Sequence, residues 1–163
     1  MAKITQLELK QVLSYDSATG HFTWLVQSGS AKPGHKACVP NAQGYIAIQL
    51  QGVKYLAHRL AWLYVHGEWP TAHIDHINGD KTDNSLINLR TATRSANMQN
   101  QKKAARNNKS GFMGVHFDKR CKKWLAQIRH SGKNHYLGIF GTPEEANATY
   151  LKAKREHHEF CTI

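Results

Sequence analysis

The stretch Asp75-His76-Ile77-Asn78-Gly79-Asp80 places a carboxylate directly before an imidazole, and three side-chain amides, Asn84, Asn88 and Asn97, are spaced behind them. These residue types suit chemistry with a divalent ion. Aspartate and asparagine offer hard oxygen donors, which fit Mg²⁺ or Mn²⁺ better than zinc. Two protein ligands would leave most of the coordination sphere to water and phosphate oxygens, and a strand–loop–strand–helix hairpin can bring Asp75 beside Asn97. Neighbouring side chains on a strand point apart, so one of Asp75 and His76 can hold metal while the other faces the substrate as a general base. Asn88 is expected to hydrogen-bond across the loop and fix the His76 ring. The same segment also reads as a polar turn, because N-G-D and D-N-S are turn formers. Two other metal readings fail. Ile77 stands where an EF-hand loop needs an oxygen ligand. His73 and His76 have no further Cys or His at zinc spacing. His58, His66, Asp80 and Asp83 are expected in surface or hairpin roles.

The elements that must carry these residues are legible around them. Residues 4–14 place Ile4, Leu7, Val12 and Leu13 on one side of a short helix. DSATG then turns the chain into a strand at 21–26. Residues 45–50 and 53–58, joined by Gln51-Gly52, predict a β-hairpin. Residues 58–67 read as a buried helix ending near Gly67, with Pro70 beyond. A strand, a long polar loop, a short strand near 89–91 and a helix from about Thr93 follow. Residues 99–110 are polar and basic, which marks a linker. Beyond it, 112–117, 123–129 and 135–140 predict three strands. A last helix starts at Thr142, with Pro143 at its first position and Glu145 completing a capping box. Ala146, Tyr150 and Ala153 share the face expected to cover the sheet. The opposite sheet face then carries polar and basic groups outward.

Charge points to the partner. The 163 residues hold 22 Lys and Arg against 11 Asp and Glu, a formal +11. From Gln101 to His135 there are ten basic side chains and one acidic, Asp118. Such a field attracts a polyanion, and nucleic acid is preferred over an anionic membrane because the basic region reads as strands and loop. Lys102, Lys103 and Arg106, in the linker, are expected to follow the nucleic-acid backbone. The three cysteines include no C-x-x-C pair, against a disulfide framework and a thiolate zinc site. The polar start of the chain and its short apolar runs predict a cytoplasmic protein without a membrane partner.

The segment HRLAWLYVHGEWP…IDHINGDKTDNSLINLRTATRSANMQN resembles the phage HNH homing endonucleases, whose ββα-metal motif reads Asp-His, then Asn, then His or Asn. The resemblance implies that Asp75 and Asn97 hold one Mg²⁺ or Mn²⁺ ion, that His76 is the general base and that Asn88 orients the loop. The C-terminal part resembles the AP2 DNA-binding domain through G-V-x-F, K-W-x-A-x-I and L-G-x-F-x-T-x-E-E-A. That likeness implies a sheet lying in the major groove of double-stranded DNA. Its DNA-facing positions are His116, Asp118, Gln127, Arg129, Asn134 and Tyr136, with Arg120 and Lys122 at the first turn. Met113 and Asp118 depart from the plant pattern.

The expected fold is α+β. A β-hairpin and helix region leads into the ββα-metal motif at about 70–100, within a nuclease domain of residues 1–100. A basic linker, 101–109, joins it to an AP2-like sheet and helix, 110–163. The expected activity is site-specific, metal-dependent hydrolysis of DNA by a phage or bacterial mobile endonuclease, as a monomer or dimer without an obligatory protein partner. The alternative is a sequence-specific DNA-binding regulator whose HNH part is inactive.

Overall fold

The computed structural model describes residues 3–101, 104, 108–158 and 161. Lys102, Lys103 and Arg106 lie outside them. Two compact units, Met1–Thr93 and Arg94–Ile163, divide the chain. The division falls ahead of the 100/101 boundary expected from composition.

In the first unit, α1 (Gln6–Val12) begins at Thr5, whose hydroxyl accepts the Glu8 N–H while the Glu8 carboxylate accepts the Thr5 N–H. The helix ends earlier than its periodicity predicts. Leu13 is already extended and opens β1 (Leu13–Asp16), which pairs antiparallel with β2 (His21–Trp24). Burial explains the difference: Leu9 and Leu13 are fully enclosed, whereas Leu7, expected on the apolar face, is 70% exposed. Next, β3 (Val39–Pro40), β4 (Ile46–Leu50) and β5 (Val53–Leu56) form an antiparallel sheet. Gln51 and Gly52 both take positive φ, 49° and 80°, as the tight two-residue hairpin requires. The buried helix α2 (Ala57–His66) stops at Gly67 in the left-handed region. Leu60, Ala61 and Leu63 of α2 join Leu9, Leu13, Phe22, Ile48, Leu50, Ile74 and Leu89 in one core. On that core rests the hairpin of β6 (His73–His76) and β7 (Leu89–Ala92), connected by the loop 77–88 with a single 3₁₀ turn at Leu86–Asn88.

The second unit opens with the short α3 (Arg94–Gln99). Its sheet has the order β10-β9-β8, from β8 (Val115–Asp118), β9 (Lys123–His130) and β10 (Lys133–Phe140). The first of these strands starts later than expected because Gly111 and Gly114, at φ 77° and 67°, hold residues 111–114 in a turn. Helix α4 (Pro143–His157) carries the expected Thr142–Glu145 capping box. Ala146, Tyr150 and Ala153 bury against Val115, Ala126 and Ile128, the face that the sequence assigned to them.

Candidate active site

Strand alternation in β6 turns Asp75 and His76 to opposite faces. His76 lies across from Leu89 and Asp75 across from Arg90. The His76 ring is buried, 4% exposed, against the core. The Asn84 amide nitrogen donates to the Thr82 carbonyl at 3.0 Å, which turns Asn84 Oδ1 toward His76 Nε2 at 3.2 Å. That oxygen only accepts, so Nε2 carries the ring proton and the lone pair resides on Nδ1. Burial pushes the His76 pKa below its ordinary value, while the Asn84 bond and the carboxylates of Asp75, Asp83 and Asp80 oppose the shift. The result is a neutral imidazole of defined tautomer, the form a general base needs.

His58 is not a surface residue. It is 6% exposed at the start of α2, with its ring edge-on to His76 at 5.0 Å between centroids and Tyr45 5.3 Å away. Burial, then the nearby His76 and Arg59, push the His58 pKa down to about 3. Its buried Nδ1 has no hydrogen-bond partner among the described residues. A neutral ring therefore backs His76.

Asn88 does cross the loop, but it does not hold the histidine. Its oxygen accepts the Asn78 N–H at 2.9 Å and its nitrogen donates to the Asp83 carbonyl at 2.8 Å. Asn84, rather than Asn88, contacts the ring. Asp80 and Asp83 are structural within the same loop: Asp80 Oδ1 accepts from Thr82 and Asp83 Oδ1 from Ser85, through both backbone and hydroxyl. These bonds lower both carboxyl pKa values. The loop is tied to the β1–β2 hairpin. Tyr15 donates to the Asn84 carbonyl at 2.7 Å and the Leu86 N–H to the Ser17 carbonyl at 2.9 Å. A Cβ on Gly20 would come within 2.2 Å of the Ser85 nitrogen.

Asp75, 5% exposed, accepts from Arg90 Nε at 3.0 Å and Nη2 at 2.9 Å, both on Oδ2. A buried carboxylate demands a positive partner, and here the Arg90 guanidinium supplies it. The donor chemistry thus fits a hard divalent ion. Among the described residues no three His, Cys, Asp or Glu side chains are arranged to hold one. Asn97 is the fourth residue of α3, in the second unit, and is half-buried.

In the second unit the sheet face opposite α4 carries exposed side chains among the described residues. Register places Asn134 beside Arg129, Tyr136 beside Gln127, and His116 beside Leu125 on that face. Arg129, Asn134 and His116 are exposed, Tyr136 is 64% exposed and Gln127 is half-buried. Arg120 and Lys122 are exposed in the β8–β9 turn, which Asp118 closes by accepting the Arg120 N–H at 2.8 Å. Beneath Arg129 the backbone is braced, because His158 Nε2 donates to the Arg129 carbonyl at 2.9 Å.

A family model described as HNH endonuclease matches residues 55–99, which take in α2, β6, β7 and α3. Protein 3.8 of Escherichia phage T7 is 33% identical over 105 residues, 64% of this chain and 86% of that protein. A solved structure concerning DNA binding and cleavage by the HNH homing endonuclease I-HmuI is 25% identical, with a TM-score of 0.42. The match covers 55% of this chain and 51% of that one, so the chain spans about half the length of that protein. No helix among the described residues is long and apolar enough to cross a membrane.

Proposed function

We propose that this chain, a relative of Protein 3.8 of Escherichia phage T7 whose residues 55–99 match the HNH endonuclease family, is a site-specific, divalent-metal-dependent DNA endonuclease of the homing type. The observation that carries the reading is the buried His76, proton fixed on Nε2 by Asn84, on the strand position next to Asp75. His76 Nδ1 takes a proton from water as the oxygen bonds to the phosphorus of a backbone phosphodiester, and the P–O3′ bond breaks, the leaving 3′ oxygen taking a proton from solvent. Asn84 holds the ring in the reactive tautomer, and Asn88 holds the loop that carries Asn84. Asp75 and Asn97 are the residues that would hold Mg²⁺ or Mn²⁺, which when bound supplies positive charge to the phosphate and the leaving 3′ oxygen. Asp75 and His76 act from opposite faces of one strand, which separates charge stabilisation from proton transfer.

Recognition belongs to the second unit. Its face opposite α4 offers Arg129, Gln127, Asn134, Tyr136 and His116 in a three-stranded, AP2-like sheet, a shape that fits the major groove of B-form DNA. Arg120 and Lys122 flank it for phosphate contact, and the linker residues Lys102, Lys103 and Arg106 extend the basic run.

The test is incubation of the full chain with its flanking genomic DNA and Mg²⁺ or Mn²⁺, the products being resolved on a denaturing gel beside His76→Ala. Strand breaks from the wild type alone are the expected outcome. Absence of metal-dependent cleavage by the wild type would leave only a binding protein.

A further inference from the structure

The Asp75–Arg90 pair is directly cross-strand in the β6–β7 ladder, so its geometry is set by backbone register rather than by chance side-chain encounter. The two members are unequal in access: the Arg90 side chain is 24% exposed and that of Asp75 is 6% exposed. A guanidinium fork serves a carboxylate and a phosphate equally well. It can change partner by side-chain rotation, whereas Asp75 cannot leave its strand without opening the hairpin. A divalent ion approaching Asp75 meets a positive group already hydrogen-bonded to one of its oxygens. A backbone phosphate brought to the same place offers that group an alternative anion.

Resting on the reading of Asp75 as a metal ligand, we propose that Arg90 exchanges between Asp75 and a backbone phosphate of the nucleic acid, so that substrate admits the metal. Without DNA, Arg90 neutralises Asp75 and competes with the ion. With DNA seated, the guanidinium moves to a phosphate oxygen and the carboxylate becomes available to the metal. The arrangement restrains hydrolysis until a phosphodiester is in place, using one side chain as both guard and substrate contact. No covalent step is involved.

Calorimetric titration of the full chain with Mn²⁺ alone tests the exchange. Arg90→Gln is expected to bind Mn²⁺ at least tenfold more tightly than wild type, and Asp75→Asn to lose that binding. In EDTA, on a 20-base-pair duplex, Arg90→Gln should lower the slope of log K against log salt by about 0.9, one phosphate contact. Equal or weaker Mn²⁺ binding by Arg90→Gln, with Asp75→Asn still impaired, overturns the exchange and leaves the ligand reading standing. Undiminished Mn²⁺ binding by Asp75→Asn overturns both. The wild type gives an answer independent of any variant: the Arg90 Nε–H NMR resonance should shift with metal-free duplex and hold still with Mg²⁺ alone. A resonance indifferent to duplex overturns the proposal.

Discussion

Asn84 Oδ1 stands 3.2 Å from His76 Nε2, and the Asn84 amide nitrogen is committed to the Thr82 carbonyl at 3.0 Å, so the asparagine cannot flip without losing a bond. The orientation of the imidazole therefore depends on a residue eight positions along the chain, within a loop shaped by its own aspartates.

Asn84→Ala should reduce single-turnover cleavage by about 100-fold, the scale on which misorientation of a reacting group acts. His76→Ala should cost about 10²- to 10⁴-fold. Because Asn84 acts through His76, the double variant should be no slower than His76→Ala alone. Duplex affinity should be unchanged in all three. Additive losses would show that Asn84 has a separate role.

What the sequence made legible was local. The Gln51-Gly52 turn and the Thr142–Glu145 cap are written in residues a few positions apart, and both formed where expected. The β1 strand was hidden because Leu13 fits a helical stripe as well as it fits a strand, and only the core it enters decides between them. The site divides in the same way. Asp75 and His76 announced themselves by type, and their opposite orientations followed from strand alternation. Asn84 and Asn88 could not be told apart, since both are amides in one polar loop and the Asx turns at Asp80 and Asp83 determine which faces the ring. Arg90 was missed because pairing with Asp75 needs the register of β6 on β7; the available signal was the rule that opposite charges favour facing strand positions. His58 was expected in a surface or hairpin role although residues 58–67 read as a buried helix; it is the second residue of α2 and lies in its buried first turn.

His58 gives the first unit a dependence on pH. Its pKa lies near 3 in the folded chain and near 6.5 when unfolded. The unfolded state therefore binds more protons between those values, and stability must fall as the pH drops below about 6.5. The slope from this one group is about 1.4 kcal/mol per pH unit. His76, shifted the same way, adds to the wild-type slope. The contribution of His58 is isolated as the difference from His58→Leu. Urea unfolding between pH 7.5 and 4.5, followed by Trp24, Trp62 and Trp69 fluorescence in a Trp124→Phe background, should show the flatter dependence in His58→Leu. Parallel curves would place the shift elsewhere.

Gly20→Ala tests the brace beneath the loop. Gly20 has φ of 73°, and an added Cβ would lie 2.2 Å from the Ser85 nitrogen and 2.3 Å from the Asn84 carbonyl carbon. Neither neighbour is a flexible side-chain end, so the β1–β2 hairpin and the loop must separate. The expected cost is about 3 kcal/mol of stability from backbone strain and overpacking, with a loss of cleavage that follows the displacement of Asn84. Gly52→Ala is the control: its φ is similarly positive, at 80°, but its Cβ would meet nothing within 4 Å. It should be the milder of the two and leave cleavage intact. Equal effects would mean that φ alone matters and that the loop does not rest on Gly20.

Arg129 and Gln127 lie on the face of the middle strand opposite α4, with Asn134 and Tyr136 as their cross-strand partners. A sheet entering the major groove would bring the central strand nearest the base edges, while Arg120 and Lys122, in the β8–β9 turn, would meet the sugar–phosphate wall. The two kinds of contact leave different traces. A bidentate base contact discriminates among sequences by about 1–3 kcal/mol, whereas a phosphate contact weakens every sequence alike and lowers the salt slope by about 0.9. The bond from His158 to the Arg129 carbonyl fixes the backbone at this position, so Arg129→Ala removes the side chain without freeing the strand. Binding sites selected from a random duplex pool should lose information at one position with Arg129→Ala. With Arg120→Ala/Lys122→Ala the selected motif should survive at lower affinity. A motif unchanged by Arg129→Ala would show that this residue reads no base, and recognition would then have to be sought from Tyr136 and Asn134 on β10.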